Sequence, residues 1–319
     1  MKALVTGAPG FIGSYLVETL LKRGYQVTCL VRKTSNLRWI EHLDVRYLTC
    51  DLADIESCSD AVRDFQYIFH LAGATKALCE KDFQRANAEC TEKLVRAAAG
   101  ATGLERFVYL SSLAAVGPGE PGRTVSEDSP PMPVSAYGRS KLCGERAVLS
   151  YKDSMPVTIL RPPAVYGPRD TDFFMVFKMI KKGFFPYWGK CYYSLLYVED
   201  LIRGMILAAE KKEAAGGTFF LCDGSIYTNE QITAEIAAAL GAKAVKVRLP
   251  RALLPIVGFL GQKIDKKGII NGDRVNDFRY SNWTCDASKA KDELGYHSQI
   301  TLREGIKWTA DWYRIHRWL

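Results

Sequence analysis

Leu4-Val5-Thr6-Gly7-Ala8-Pro9-Gly10-Phe11-Ile12-Gly13 is the stretch whose reading decides the fold. An apolar run that reads as a strand passes into three glycines spaced G-x-x-G-x-x-G. Ile12, Leu16, Leu20 and Leu21 then recur at helical spacing through residues 11–23. In such a turn the first glycine permits the tight bend and the second lets a pyrophosphate approach the backbone. The third lets helix and strand pack closely. The helix start adds N–H groups and a positive dipole end that suit an anion. Gly7, Gly10, Phe11, Ile12 and Gly13 are therefore the expected cradle of a dinucleotide. Ordinary βα turns carry the same spacing, so the case rests on the surrounding βαβ pattern.

That pattern extends outward from the turn. Residues 3–6, 26–31, 45–50, 67–71, 106–110 and 157–160 are short apolar, partly β-branched runs, suited to strands covered on both faces. Between them, 11–23, 83–99 and 136–149 carry helical periodicity. The alternation predicts an α/β fold with a doubly wound parallel sheet and a smaller C-terminal α/β lobe. Residues 1–165 read as the dinucleotide-binding domain. Residues 166–319 read mainly as a substrate-binding lobe, with about 198–222 returning to the first domain. Beyond 165 the pattern loosens. Residues 183–196 read as a loop-rich, aromatic wall or lid, and 198–211 as a helix. Thr228 with Gln231 and Thr301 with Glu304 read as capping boxes that open two further helices. The apolar segment 253–260 reads as a substrate-side or core helix, with an interfacial membrane contact the lesser alternative, and 117–133 as a long surface loop.

Composition narrows the function classes. The chain has 319 residues, 48% of them hydrophobic, and no run of about 18 apolar residues that would span a bilayer. Its first residues read as a strand and not as a secretory signal, so the expectation is cytoplasmic. Nine scattered cysteines without a C-x-x-C pair, and four histidines without ligand spacing, predict reduced thiols and no metal site. The net charge of +8 is spread along the chain, which favours anionic small ligands over nucleic acid.

At the end of the second strand an acid would bond the ribose of NAD, and an arginine would accept the 2′-phosphate of NADP. Arg32 and Lys33 stand there, so NADP(H) is favoured over NAD(H). Asp51, with Leu52 beside it, either bonds the adenine amino group or caps the next helix. Tyr137 and Lys141 are spaced i, i+4 and share a helix face. A nearby ammonium favours the phenolate, so Tyr137 can exchange a proton with a substrate oxygen while hydride moves at the same carbon. Ser112, at the carboxyl edge of the sheet, would hold that oxygen. Thr75, Lys76, Tyr166, Arg169 and Tyr193 are further candidates for the substrate mouth. Each has a plain alternative as loop surface or core.

Taken together, these motifs resemble the extended short-chain dehydrogenase/reductases, the superfamily of NAD-dependent epimerases and dehydratases. The resemblance covers nearly the whole chain. It rests on Thr6 to Gly13, His70-Leu71-Ala72-Gly73, Asn87, Phe107 to Ser112, Tyr137 to Lys141, Leu160 to Pro168 with Pro163, Ala164 and Val165, and Tyr197 to Asp200. It implies Tyr137 and Lys141 with one serine of the pair Ser111-Ser112 as the catalytic set, and alignment by the pair favours Ser112. It implies cofactor contacts from Leu71, Ala72, Gly73 and the Pro163–Val165 loop, a structural role for Asn87, and a homodimer built on helices 83–99 and 136–149. The wording around Arg161 is most similar to the dihydroflavonol-reductase and 3β-hydroxysteroid-dehydrogenase branches. Ala164 stands where nucleotide-sugar enzymes often carry asparagine, and Tyr193-Ser194 where they tend to carry an Arg-Asp pair. These departures favour a reductase or dehydrogenase acting at a secondary alcohol or ketone of a small molecule. The alternatives are a nucleotide-sugar epimerase that uses Arg274 or Arg279 for the phosphates, and a non-catalytic cofactor-binding protein.

Overall fold

The computed structural model describes residues 1–250, 252 and 274–319. In chain order its strands are β1 (Lys2–Thr6), β2 (Gln26–Val31), β3 (Arg46–Thr49), β4 (Tyr67–His70), β5 (Arg106–Leu110), β6 (Val157–Arg161) and β7 (Ala164–Tyr166), followed by β8 (Phe184–Tyr187), β9 (Tyr192–Tyr193), β10 (Leu195–Tyr197), β11 (Thr218–Phe220), β12 (Tyr227–Thr228), β13 (Val245–Arg248) and β14 (Asn282–Trp283). Seven of them form one parallel sheet in the order β11-β6-β5-β4-β1-β2-β3. Its central strands are buried on both faces, and that is why they read as unbroken apolar runs.

Alternation along each strand divides the core. Ala3, Val5, Phe69 and Val108 face Leu16, Val17 and Leu20 of helix Phe11–Lys22 and Met205 and Ile206 of helix Val198–Glu210. Leu4, Ile68, Phe107 and Ile159 face Leu94 and Val95 of helix Cys90–Ala98 and Val148 of helix Ala136–Leu149. Helices on both faces make the sheet doubly wound. The strand order reverses between β1 and β4, where ligands of such sheets bind beyond the carboxyl ends.

The C-terminal lobe has a core of its own. Phe177 and Ile180 of helix Asp172–Lys181 meet Ile232 and Ile236 of helix Asn229–Leu240, and Ile306, Ala310 and Tyr313 of helix Leu302–Ile315. Both expected capping boxes are present, Thr228 with Gln231 and Thr301 with Glu304.

Two expectations need correction. The stretch 183–196 is not loop-rich, because it contains β8, β9 and β10. Its aromatics are good strand formers, and they pair with β13, with β12 and β14, and with β7 respectively. Those partners come from distant sequence or from a separate sheet. The helix expected at 83–99 starts earlier, at Glu80, and is interrupted by a π-helical turn over Arg85–Glu89. The segment 253–260 lies outside the described residues.

Candidate active site

The crevice between β1 and β4 begins with Gly7, whose φ of 72° suits glycine. A β-carbon there would meet the Ala72 amide nitrogen at 2.8 Å, and one on Gly13 would collide with the Gly7 carbonyl oxygen. The turn is therefore closed against β4 on one side and against helix Phe11–Lys22 on the other. Gly10 is the exposed member of the three. The helix it opens has neither a side-chain cap nor an acid in its first turn. A helix start left bare in this way suits a pyrophosphate. The residues present thus fit a dinucleotide: Gly10, Phe11 and Ile12 would face the phosphates, while Gly7 and Gly13 make the turn tight enough to allow it.

At the end of β2, Arg32 and Lys33 are exposed and make no ion pair among the described residues. The Ser35 hydroxyl accepts the Arg32 N–H at 3.0 Å and fixes this corner. Asp51 caps the turn that follows β3, accepting the Ala53 N–H at 2.9 Å, and Leu52 begins that turn. Pro163 is buried, whereas Ala164 is exposed and Val165 partly so.

A hydrogen-bond relay that the sequence did not suggest links this crevice to the helix carrying Tyr137. The Ala72 N–H donates to Thr6 Oγ1, which stands 2.7 Å from His70 Nδ1. His70 Nε2 stands 2.9 Å from Thr91 Oγ1, and the Thr91 hydroxyl donates to the Asn87 carbonyl. Because Thr91 spends its proton on Asn87, His70 must donate from Nε2 and accept at Nδ1, as the neutral tautomer. Burial, with the Lys141 charge nearby, holds its pKa down at about 3. Asn87 lies in the π-helical turn. Its side chain binds both backbone groups of Ala74 and donates to Ser140. Asn87 thus has the structural role implied by the resemblance.

The two serines after β5 differ in environment. Ser111 is buried and donates to Glu145 at 2.5 Å, and Glu145 in turn accepts two bonds from Arg161. Ser111 belongs to this buried ion pair. Ser112 is half-buried, and its side chain caps the turn Leu113–Ala115. Lys141 is fully buried. It donates to the Leu110 carbonyl at 2.6 Å and lies 4.4 Å from the centre of the Tyr109 ring. Burial pulls its pKa down to about 7 against the opposing pull of Glu145. Tyr137, one turn earlier, is half-buried with its ring edge-on to Phe83. Gly138 packs against the Ala114 carbonyl, so the start of this helix is seated on the turn that Ser112 caps.

The substrate-side candidates fare unevenly. Tyr166 is 1% exposed, packed among Phe173, Tyr197 and Gly305, and is a core aromatic. Arg169 is committed to Glu18 at 2.6 Å and to the Ser14 hydroxyl, with its guanidinium against Tyr15 and Trp39. It ties the loop to helix Phe11–Lys22 and is not open to a ligand. Lys76 pairs with Asp172 at 2.6 Å, which links the two lobes, and Thr75 beside it is exposed. Tyr193 pairs with Tyr227 in the small sheet. Ser194 is buried and accepts the Cys285 N–H. An open cavity of about 490 Å³ lies beside the start of helix Ala136–Leu149, lined by Met132, Pro133, Val134, Asn276, Arg279 and Tyr280. The sequence had offered Arg279 only as one of two phosphate candidates, and the side chain of Arg274 lies outside the described residues.

The NAD dependent epimerase/dehydratase family model matches residues 3–222. The chain belongs to that family. Its relatives span both kinds of chemistry. The ceramide reductase of Caulobacter vibrioides is 28% identical over 99% of this chain and 95% of its own. An Arabidopsis thaliana 3β-hydroxysteroid-dehydrogenase/decarboxylase is 25% identical over 97% of this chain and 78% of its own. A UDP-glucuronic acid 4-epimerase from Bacillus cereus, solved with UDP-glucuronic acid and NAD, superposes with a TM-score of 0.80. It is 26% identical over 99% of this chain and 100% of that one. Among the described residues of this family member no group of side chains could hold a metal, and no helix is long and apolar enough to cross a membrane.

Proposed function

We propose that this chain is an NADP(H)-preferring reductase or dehydrogenase acting at a secondary alcohol or ketone carbon of a small, non-nucleotide substrate, and that it works as a homodimer. One observation carries the reading. The helix bearing Tyr137 and Lys141 is pinned to the carboxyl end of β5 through Leu110, two residues before Ser112. The nicotinamide, when bound, would donate or accept the hydride. Ser112 would hold the substrate oxygen, and Tyr137 would pass its proton to that oxygen or take it back. Lys141 would favour the tyrosinate while charged. Burial lowers its pKa to about 7, so the ammonium form gains at lower pH or beside an added anionic charge. Arg32 and Lys33 would grip a 2′-phosphate. Tyr193, paired with Tyr227 in the small sheet, leaves no cation where a nucleotide-sugar enzyme would carry one.

Arg279 favours a second reading. It lines the cavity and makes no ion pair among the described residues, so it could serve a nucleotide phosphate as in a sugar epimerase. Identifying the nucleotide released from purified protein separates the two. An epimerase returns its hydride within one turnover and can retain NAD, so stoichiometric bound NAD overturns the reductase reading. The reductase reading expects empty protein that binds NADPH much more tightly than NADH, with Arg32→Ala abolishing the difference.

A further inference from the structure

β8 and β13 pair in parallel with Val245 opposite Phe184 and Val247 opposite Pro186, so these four side chains share one face of the pair. On the other face Lys246, itself exposed, bonds to Glu230 on helix Asn229–Leu240 and lies 5.1 Å from the centre of the Tyr187 ring. All four residues of β13 are exposed, so its apolar face meets solvent and no core covers it. Val245 is 68% exposed, Val247 44% and Phe184 38%, and Met175 on the adjoining helix Asp172–Lys181 is 44% exposed.

Charge surrounds this face asymmetrically. Residues 173–190 and 241–250 contain seven lysines and arginines and no acid. All seven are exposed. Against a net charge of +8 for the whole chain, these two segments hold nearly all of the excess, and the strand pairing brings them together. The spread of charge along the sequence is thus not a spread in space.

We propose that the β8–β13 face, with the lysines around it, docks on the surface of an anionic lipid bilayer. Exposed apolar side chains ringed by flexible lysines suit the boundary between acyl chains and headgroups. A nucleic acid would ask instead for a row of aromatic platforms for successive bases, and of the four side chains sharing this face only Phe184 is aromatic. The face also adjoins the cavity. Trp188, just past β8, packs its ring 5.0 Å from that of Phe278, and the helix Arg274–Phe278 supplies Asn276 to the cavity wall. The proposal does not depend on which reaction the site performs.

Sedimentation of the purified full chain with vesicles tests it, using phosphatidylcholine alone and phosphatidylcholine mixed with phosphatidylglycerol. The expected result is binding to the mixed vesicles that weakens steeply with salt. Lys181→Glu with Lys182→Glu should lower the partition coefficient about tenfold or more. Val245→Asp with Val247→Asp should lower it comparably. Arg46→Glu with Lys152→Glu makes the same charge change at exposed positions elsewhere and should leave it unchanged. Unaltered thermal melting shows that each variant is folded. Three results would overturn the proposal: no binding to mixed vesicles, equal loss in the Arg46/Lys152 control, or binding of an oligonucleotide that those same variants abolish while vesicles are ignored.

Discussion

Lys141→Met makes a measurable statement about the cost of the site. The side chain is fully buried, and its pKa falls from 10.5 to about 7 because burial penalises the charge. Below pH 7 the folded and unfolded chains both carry the proton, and the folded state bears the whole penalty. As pH rises from 7 toward 10.5 the folded state has released the proton while the unfolded state still holds it. Unfolding then takes up a proton, so stability increases with pH through that window. At 1.36 kcal/mol per pH unit the gain between pH 7 and 9.5 is about 3 kcal/mol. Methionine has a similar length and no charge, so the variant lacks this term. It loses the bond to the Leu110 carbonyl, which costs about 1–3 kcal/mol. Against a full penalty of roughly 5 kcal/mol, Lys141→Met should be more stable than the wild type at pH 6.5 and should lose that advantage by pH 9.5. Urea unfolding of nucleotide-free protein across that range measures the difference between the two proteins, which cancels the other titrating groups. A difference that does not change with pH would refute the reasoning, because it would mean that Lys141 titrates as an ordinary solvated lysine.

Glu145→Gln should destabilise by about 3–5 kcal/mol in urea melts, because it strands the buried Arg161 guanidinium while leaving Tyr137 and Lys141 intact. Thr91→Val removes both the acceptor for His70 Nε2–H and the donor to the Asn87 carbonyl, and should cost about 1–3 kcal/mol. In the wild type, the ¹⁵N shifts of the His70 ring should report the Nε2–H tautomer, unprotonated down to about pH 4 because its pKa lies near 3. Thr301→Ala opens the capping box of helix Leu302–Ile315 and should cost about 1 kcal/mol without changing nucleotide affinity.

What the sequence reveals here is what local chemistry determines. The glycine turn, both capping boxes and the buried strands of the parallel sheet each depend on residues within a few positions of one another. The misses arise where partners are far apart. Nothing near Phe184 announces that Val245 will pair with it. For Tyr166 and Arg169 the sequence left substrate contact and a plain structural role both open, and distant residues decide: Tyr166 packs against Gly305 and Tyr197, and Arg169 pairs with Glu18. The relay from Thr6 through His70 and Thr91 to Asn87 uses single polar residues on separate elements, so no periodicity marks it. One signal was available, because a histidine and a threonine inside apolar strand runs must each find a partner when buried.

Helix Ala136–Leu149 shows why the proposed reacting groups need that hidden network. Two of its positions leave no room for a side chain: Gly138 lies on the Ala114 carbonyl, and Gly144 on the Asn87 carbonyl and the Tyr109 hydroxyl. Its polar positions are committed as well, Ser140 to Asn87, Glu145 to Ser111 and Arg161, and Lys141 to Leu110. A helix held only by apolar side chains could rotate by repacking them. Here each contact is to a fixed backbone atom or a directional hydrogen bond, so rotation breaks several at once. Asn87 presents its carbonyl sideways because it lies in a π-helical turn, and such turns tend to occur where function requires a displaced backbone. The same carbonyl that accepts the Thr91 hydroxyl also bounds Gly144. The relay that begins at the glycine turn therefore sets the seat of the helix carrying Tyr137, so the cofactor crevice and the proposed proton donor are positioned by one set of bonds.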